Sequence, residues 1–377
     1  MPDLTVVCRQ HLPDAVSLLK QLLAIESPST DKAAVDRCTA HVAGVFDALQ
    51  LQTKRVPIDS AGDHLLVERP GRDATRILTM LHLDTVWSLG TLAEMPIRED
   101  NGLLYGPGSY DMKASVAIVW LALRALQESG RSPRRTLRFL FTSDEEVGSL
   151  TSEQLIKEEA ARSDLVLVME PALNNGRIKT ARKGTGQFSV TAHGRSAHAG
   201  GSHQKGVNAI EEIARHVLTI QRLTDYERGT TVNVGEIRGG TRVNVVPERA
   251  EIMVDYRVES MEEAERIEKT FRALKPLNPK ARIEVSGGLN RPPMVRDATM
   301  KATFHQARKI AAQLGIDLKQ GSTGGASDGN FTAAIGVPTL DGMGPVGEGA
   351  HARHENIVIN SIAERAAFLA SIWLEWE

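Results

Sequence analysis

The sequence has few cysteines and aromatic residues, no long apolar run and no excess of charge of either sign. Its two cysteines, Cys8 and Cys38, have neither disulfide-framework nor zinc-knuckle spacing, so we expect buried thiols. No apolar stretch approaches the roughly 20 residues that a membrane helix needs. The N-terminus lacks the basic and apolar segments of a secretory signal, so a cytoplasmic location is the simplest expectation. The formal net charge of −2 provides no electrostatic basis for binding nucleic acid or a membrane.

Two sequence motifs are also missing. There is no G-x-S-x-G elbow, which argues against a serine hydrolase. The glycine-rich segment 324–330 lacks the lysine of a phosphate-binding loop, which argues against nucleotide binding there. This segment is instead a candidate lining of a specificity pocket.

The composition, 41% hydrophobic and 24% charged, is that of a globular protein, and a length of 377 residues predicts about two domains. Up to residue 182, apolar segments of strand type alternate with segments of helical periodicity. This alternation predicts an α/β fold with a mixed, mostly parallel sheet and helices on both faces. The expected strands are 76–86, 136–143 and 164–170, and the expected helices are an opening helix around 16–23, then 32–49, 111–130 and 152–161.

The pattern changes after residue 182. Between about residues 187 and 286 the order is strand, helix, strand, strand, helix, strand, which predicts an inserted α+β domain with an antiparallel sheet. The α/β pattern then resumes with helices at 298–314 and after 360. We therefore predict a first domain in two parts, 1–182 and 290–377, interrupted by a domain at 183–289. Arg182 and Lys183, at the junction, are expected to be solvated.

Three consecutive acids follow the strand in "RFLFTSDEEVGSL". Carboxylates this close repel one another unless a positive charge lies among them. If the strand continued, Glu145 and Glu146 would face opposite sides. Gly148 indicates that the chain turns instead, which would bring both to one site in different roles. The alternative is a solvated acidic loop.

Other residues of metal-ligand type lie at predicted strand ends or in glycine-rich loops. His82 and Asp84 in "LHLDTVW" project to the same face of a strand, so the carboxylate could support a metal-bound imidazole. Asp111 follows "YGPGSY", where a helix N-cap is the competing interpretation. Glu170 ends the strand "LVLVME", where its charge needs a partner if it is buried.

The last group is "GAHARHE", in which either His351 or His354 could be a ligand. Two imidazoles and at least three carboxylates at the strand ends of one sheet fit two divalent cations. About four positive charges would also explain why the acids tolerate one another, and two ions about 3.5–4 Å apart are an arrangement used by hydrolases.

These motifs carry a family resemblance. The chain resembles the di-zinc aminoacylase/carboxypeptidase superfamily, and most closely its glutamate carboxypeptidase (carboxypeptidase G-type) branch. The resemblance extends from about residue 80 to about residue 356. It rests on matching stretches in the family's order: HLDTVW, GPGSYDMKA, TSDEEVGS, VMEP, GRSAHAG, NVVPE, GGLNRPPM, GGASDGNF and GAHARHE.

The resemblance implies a ligand set for two Zn²⁺ per chain, with Co²⁺ or Mn²⁺ as substitutes. Asp111 looks like the carboxylate that bridges both ions, while Glu146 and Glu170 look like ligands of different ions. The implied metal ligands are His82, Asp111, Glu146, Glu170 and His351.

The choice of the last histidine ligand rests on how many residues separate it from a glutamate in the sequence. The family's last ligand precedes a glutamate by a short spacing, as His351 precedes Glu355. His354 also lies close to Glu355, so it stays an alternative.

The resemblance also implies a mechanism. Glu145 matches the general base, and Asp84 matches the residue that supports the ligand His82. The inserted domain would mediate homodimerisation, and His198 of "GRSAHAG" would reach the partner's active site to stabilise the oxyanion. A metal-bound hydroxide would attack the amide, with Glu145 moving its proton to the leaving amine.

Substrate recognition is implied for one residue of the inserted domain and for one where the chain returns from that domain. Arg291 in "GGLNRPPM" would bind the substrate's free carboxylate, and Asn244 in "RVNVVPE" would hydrogen-bond its polar end. A surface arginine and a turn residue are the respective alternatives.

The expected activity is a zinc-dependent carboxypeptidase that releases a C-terminal residue, glutamate being the first expectation, from a peptidyl or N-acyl substrate. An N-acyl-amino-acid deacylase, of the acetylornithine deacetylase or aminoacylase type, is the alternative. A catalytically inactive binding homologue would be expected to lack a ligand or the base, whereas every one of these motif positions is filled.

Overall fold

Residues 3–377 are described in the computed structural model of this protein, and they form eleven α-helices and eighteen strands. The helices are α1 Leu4–Gln10, α2 Leu12–Leu23, α3 Lys32–Asp47, α4 Thr91–Glu94, α5 Ala114–Glu128, α6 Glu153–Ala161, α7 Ala209–Gln221, α8 Met261–Arg272, α9 Ala298–Gln313, α10 Gly329–Ala334 and α11 Ile359–Glu375. The strands are β1 Gln52–Val56, β2 His64–Arg69, β3 Arg76–His82, β4 Arg98–Asp100, β5 Leu103–Tyr105, β6 Thr136–Thr142, β7 Leu165–Val168, β8 Ile178–Arg182, β9 Gly184–His193, β10 Ala197–His198, β11 Thr231–Gly239, β12 Val245–Val246, β13 Arg249–Val258, β14 Arg282–Arg291, β15 Gln320–Thr323, β16 Thr339–Asp341, β17 Gly347–Glu348 and β18 Asn356–Val358.

The chain divides into two units. The first contains the described residues up to Ala181 together with Arg296–Ser322 and Ser327–Glu377, and the second contains Arg182–Val295 and Thr323–Ala326. The predicted inserted segment, 183–289, lies within the second unit.

The first unit is built on an eight-stranded mixed sheet with the order β1-β2-β6-β3-β7-β16-β8-β15. Its four central strands, β6, β3, β7 and β16, run parallel, while β1, β2 and β8 pair antiparallel to their neighbours. The parallel strands place their carboxyl ends at one edge of the sheet, where ligands bind in such folds.

Helices cover both faces of this sheet, as predicted for the fold class. Alternate residues of each central strand enter different cores because side chains alternate across a strand. Ile77 and Leu81 of β3 pack into a core with residues of α1, α2, α5 and α11. Leu78 and Met80 pack into another core with residues of α6 and α10.

The second unit has the predicted strand and helix order. Its four-stranded antiparallel sheet has the order β11-β13-β9-β14. Helices α7 and α8 pack on it through a core that contains Phe188 and Phe271, whose rings stack with centroids 4.2 Å apart.

Two sequence-based expectations differ from the structure. The helix expected from residue 111 begins at Ala114, because Asp111 has a non-helical backbone. Arg182 is buried rather than solvated, since its guanidinium donates to the carbonyls of Gly325 and Ala326.

No helix within residues 3–377 is both long and apolar enough to cross a bilayer.

Candidate metal centre

The candidate site lies at the carboxyl edge of the parallel strands of the first unit. His82 is the last residue of β3 and lies beside Thr142, the last residue of β6. Glu145 and Glu146 follow β6 on a 3-10 turn that ends at Gly148, with φ of +100°. The turn inferred from Gly148 is therefore confirmed. Glu170 follows β7, the other neighbour of β3, so three adjacent strands deliver side chains to one place.

His82 forms the first half of the cluster. Its Nε2 lies 3.1 Å from Oδ1 of Asp111 and 3.5 Å from Oε1 of Glu170. Its Nδ1 lies 2.9 Å from the backbone oxygen of Asp84, which can only accept a hydrogen bond. This contact places the proton of a neutral ring on Nδ1 and leaves the lone pair of Nε2 directed at the carboxylates. Burial lowers the pKa of His82, but the carboxylates outweigh burial and raise its pKa well above the ordinary value.

His351 forms the second half. Its Nε2 lies 3.4 Å from Oδ2 of Asp111 and 3.2 Å from Oε2 of Glu146. The two carboxylates raise the pKa of His351 to about 10. The ring of His351 is 52% exposed, so this half is open to solvent. Within the described residues, His354 makes no ion pair with these carboxylates.

Asp111 joins the two halves. It presents Oδ1 to His82 and Oδ2 to His351. The two imidazoles hold the pKa of Asp111 far below its usual range despite its burial. A carboxylate that faces one ligand group with each oxygen is suited to bridge two cations.

The neighbouring glutamates have different surroundings. One carboxylate oxygen of Glu145 lies within 4.8 Å of ligand atoms of His82 and Glu170, whereas Glu146 contacts His351. Burial and the charge of Asp111 raise the pKa of Glu146, partly offset by His351.

Asp84 fixes the turn that carries both glutamates. Its carboxylate accepts hydrogen bonds from the backbone nitrogens of Glu145 and Glu146, at 3.3 and 3.1 Å, and from the hydroxyl of Ser29 at 2.7 Å. The carboxylate is 3.6 Å from Nδ1 of His82, so the closer support of that ring comes from the backbone oxygen. Burial raises the pKa of Asp84.

Sequence reasoning missed the structural role of Glu355. This buried carboxylate accepts hydrogen bonds from the backbone nitrogens of Gly108, Tyr110 and Asp111, at 2.8, 2.9 and 3.0 Å, and from Nε1 of Trp87 at 2.8 Å. Burial raises the pKa of Glu355 to about 7. It therefore fixes the loop that presents Asp111. Its closeness to His351 in sequence was the available signal, but its partners lie far away along the chain.

The other predicted residues belong to the second unit. His198 pairs with Val245 in the β10–β12 ribbon, and the backbone oxygen of Asn244 accepts from the nitrogen of Ala199. The structure therefore brings His198 and Asn244 together. Nδ1 of His198 accepts from the backbone nitrogens of Gly200 and Gly201, at 3.1 and 3.0 Å, which leaves the proton of a neutral ring on Nε2.

Arg291 is the last residue of β14 and is buried. Its Nη1 donates to Oδ1 of Asn290 at 3.0 Å. The surface location considered as an alternative for Arg291 is therefore wrong.

The donor set of the first unit fits divalent cations. Two overlapping groups of potential ligands share His82: one contains Glu145 and Glu170, the other Asp111 and Glu146. Nζ of Lys179 lies 3.9 Å from Oε2 of Glu170. Among the described residues, the ion pairs of Asp111 and Glu146 are with imidazoles. Mixed imidazole and carboxylate donors suit Zn²⁺ and similar ions.

A mixed α/β sheet with such a centre at its carboxyl edge defines a metal-dependent hydrolase of the metallopeptidase class. The chain belongs to peptidase family M20/M25/M40, whose family model matches residues 78–375. The predicted superfamily and its carboxypeptidase G-type branch are thereby confirmed, together with the fold class.

Two curated relatives illustrate the range of the family. Carboxypeptidase G2 of Pseudomonas sp. (strain RS-16) is 28% identical over 373 residues, covering 95% of this chain and 88% of the relative. Succinyl-diaminopimelate desuccinylase of Dechloromonas aromatica (strain RCB) is 28% identical over 288 residues, covering 72% of this chain and 74% of the relative.

Solved structures share the fold. Aminopeptidase PepT of Bacillus cereus ATCC 10987 superposes with a TM-score of 0.76 at 22% identity, covering 96% of this chain and 97% of its own. The YXEP protein of Bacillus subtilis, a dinuclear metal binding peptidase, superposes with a TM-score of 0.70 at 17% identity, covering 97% and 98%.

Proposed function

We propose that this protein is a zinc-dependent carboxypeptidase that hydrolyses an amide bond next to a free carboxylate. It releases a C-terminal amino acid, glutamate being the first to test, from a peptidyl or N-acyl substrate. The observation that carries the proposal is the position of Asp111 between His82 and His351, with the carboxylate of Glu145 beside His82. The similarity to carboxypeptidase G2 supports the choice of substrate.

The metal ligands proposed are His82, Asp111, Glu146, Glu170 and His351. When bound, a pair of divalent ions lowers the pKa of water and polarises a carbonyl group. The protein's contribution is to hold these ligands with fixed orientation. Asp84 and Glu355 provide that support through backbone hydrogen bonds.

Glu145 is the proposed general base and acid. One of its carboxylate oxygens lies within 4.8 Å of ligand atoms of His82 and Glu170, whereas Glu146 contacts His351, so the two glutamates are assigned different roles. It removes a proton from the attacking water and delivers that proton to the nitrogen of the departing amine. The hydrolysis consumes one water molecule and yields a carboxylic acid and a free amine.

His198 is the proposed oxyanion donor, supplied by the partner in a homodimer formed through the second unit. Its Nδ1 already accepts from Gly200 and Gly201, so Nε2–H remains to donate. Removing one such donor typically costs about 10²–10³ in rate.

Arg291 and Asn244 are the proposed substrate-binding residues. A guanidinium matches a carboxylate through two parallel hydrogen bonds, which would select substrates with a free C-terminus. Asn244 would bind the polar end of the same group.

An N-acyl-amino-acid deacylase is the second candidate. The similarity to a succinyl-diaminopimelate desuccinylase favours it. The bond broken is again an amide, and the difference is which side of that bond the protein recognises.

A substrate panel combined with metal analysis tests the proposal. We expect about two zinc ions per chain and faster release of glutamate from an N-acyl-glutamate and from dipeptides ending in glutamate than cleavage of N-acetylornithine or succinyl-diaminopimelate. Preference for the last two substrates would favour the deacylase. Absence of hydrolysis across the panel by a zinc-loaded protein would reject both.

A further inference from the structure

A polar cavity lies in the first unit apart from the metal centre. It has a volume of about 280 Å³, and none of the proposed metal ligands lines it. We call it the Arg365 cavity, because that side chain of α11 forms part of its wall. Its polar lining includes Asn175, Asp317, Asn360, Glu364 and Arg365.

Arg365 is unusual because it is buried without an acidic partner. Its exposed fraction is 6%, and its Nη2 donates to the backbone oxygen of Gly176 at 2.5 Å. Among the described residues, no carboxylate forms an ion pair with it. Burial lowers the pKa of Arg365 to about 10. Removing a guanidinium from water is costly, and the nearby charge of Glu364 offsets only part of the effect of burial.

Most donors of Arg365 remain available to the cavity. A guanidinium has five N–H donors in a planar fork, and the hydrogen bond to Gly176 uses one. Some buried side-chain atoms of the described residues have no hydrogen-bond partner, and no nitrogen of Arg365 is one of them. Because Arg365 lines the cavity, a ligand carboxylate there could accept two of these donors side by side.

The cavity also has a negative wall. The carboxylate of Asp317 forms ion pairs with Nζ of Lys319 at 3.4 Å and with Nη2 of Arg308 at 3.8 Å. Glu364 is exposed and forms no ion pair within the described chain. A simple anion would meet Arg365 but be repelled by Glu364, whereas a ligand carrying both signs of charge would match both groups.

We propose that the Arg365 cavity binds a small free amino acid, with its carboxylate on Arg365 and its ammonium group near Glu364. The side-chain amides of Asn175 and Asn360 line the same cavity and can accept or donate at its edge. This site is independent of the proposed reaction, because it shares no residue with the metal centre.

Three probes of similar size separate the contributions of charge. L-alanine carries both groups, propionate lacks the ammonium group and ethylamine lacks the carboxylate. Binding to the zinc-loaded protein is measured by calorimetry at constant ionic strength. We expect alanine to bind at least about tenfold more tightly than either analogue, since each charge-assisted contact contributes more than about 1.4 kcal/mol.

Variants test the location. Glu364→Gln should reduce the affinity for alanine to that for propionate, and should strengthen propionate binding because the repulsion is removed. Basal hydrolysis should be unchanged. Glu375→Gln, at the exposed end of the same helix, is the matched control and should bind alanine like the wild type. Arg365→Met should abolish binding of both alanine and propionate. Because Arg365 is buried, its replacement can also impair folding.

Two results would overturn the proposal. One is alanine binding no tighter than propionate in the wild type. The other is an unchanged affinity for alanine in Glu364→Gln. Glu364 is exposed, so this result can be obtained even if Arg365→Met does not fold.

Discussion

At the scale of single residues, Glu145 and Glu146 are adjacent in sequence but differ in their contacts. Glu146 is held against the imidazole of His351, whereas Glu145 lies near His82 and Glu170. A backbone turn rather than a strand permits this, since in a strand the two side chains would point to opposite faces. The proposed division between metal binding and proton transfer rests on this difference in contacts.

Replacing Glu145 tests this division. We expect Glu145→Gln to lower kcat by about 10²–10⁴, because the amide cannot take a proton from water. Metal content, measured by mass spectrometry of the purified protein, should stay at about two ions per chain. The matched variant Glu146→Gln should instead lose metal. Near-normal turnover in Glu145→Gln would remove the base assignment.

Glu355 should act on metal affinity through the loop that carries Asp111. In Glu355→Gln the amide NH₂ would face a backbone N–H that now donates to a carboxylate oxygen, so the loop would shift. We expect zinc affinity to fall about 10–100-fold, with activity recovering at high zinc concentration.

The control for Glu355→Gln is the exposed Glu348→Gln on the neighbouring strand β17. A competition titration with a zinc chelator gives both affinities. Equal zinc affinity in the two variants would show that Glu355 does not hold the loop in place.

Residue identities were largely readable from sequence, but supporting contacts were not. His82, Asp111, Glu146 and His351 could be predicted from short motifs that resemble a family, and the structure places them in one cluster. The hydrogen bonds of Glu355 join residues more than two hundred positions apart, so no local pattern reports them.

At the scale of secondary-structure elements, the strands of the sheets followed from apolar patterning. The predicted strand at 136–143 exceeds β6 by one residue, and that at 76–86 exceeds β3 by four residues. Helix starts were less accurate where backbone geometry serves the site: Asp111 was a candidate first helical residue, yet α5 starts at Ala114. Periodicity does not encode that local geometry.

The first turn of α8 supplies a prediction on pH and stability. Glu263 accepts from Arg266, Arg228 and Thr230, with the shortest contact 2.6 Å from Thr230. Chiefly the hydrogen bonds from Arg266 lower the pKa of Glu263 from 4.5 to about 2. Its ionised form therefore stabilises the folded state above a pH of about 4.5, and this stabilisation is lost as pH falls toward 2.

We expect Glu263→Gln to lower the free energy of unfolding by about 1 kcal/mol at pH 7, with the difference from wild type shrinking below pH 4.5. Thermal unfolding at several pH values measures it. Glu262→Gln, the adjacent exposed residue, is the control and should have little effect. A difference that stays constant down to pH 3 would argue against the charged network.

At the scale of the whole molecule, the chain separates into a unit with the metal centre and a unit with His198. If dimerisation brings His198 to the partner's site, neither subunit is complete alone. An oligomeric requirement of this kind is not visible in one chain, and its prediction came from the family resemblance.

Hybrid dimers test this arrangement. Glu145→Gln and His198→Ala should each be nearly inactive alone, but mixing and reassociation should produce about half hybrids, each with one intact site. We expect recovery of about a quarter of wild-type activity. Distinct affinity tags on the two variants allow hybrids to be isolated, and inactive hybrids would contradict action across the dimer.

Asp84 binds the backbone of Glu145 and Glu146 with one carboxylate. The proposed proton carrier and the proposed ligand beside it are consequently held by the same side chain. A substitution that moves the carboxylate of Asp84 is therefore expected to displace both glutamates together.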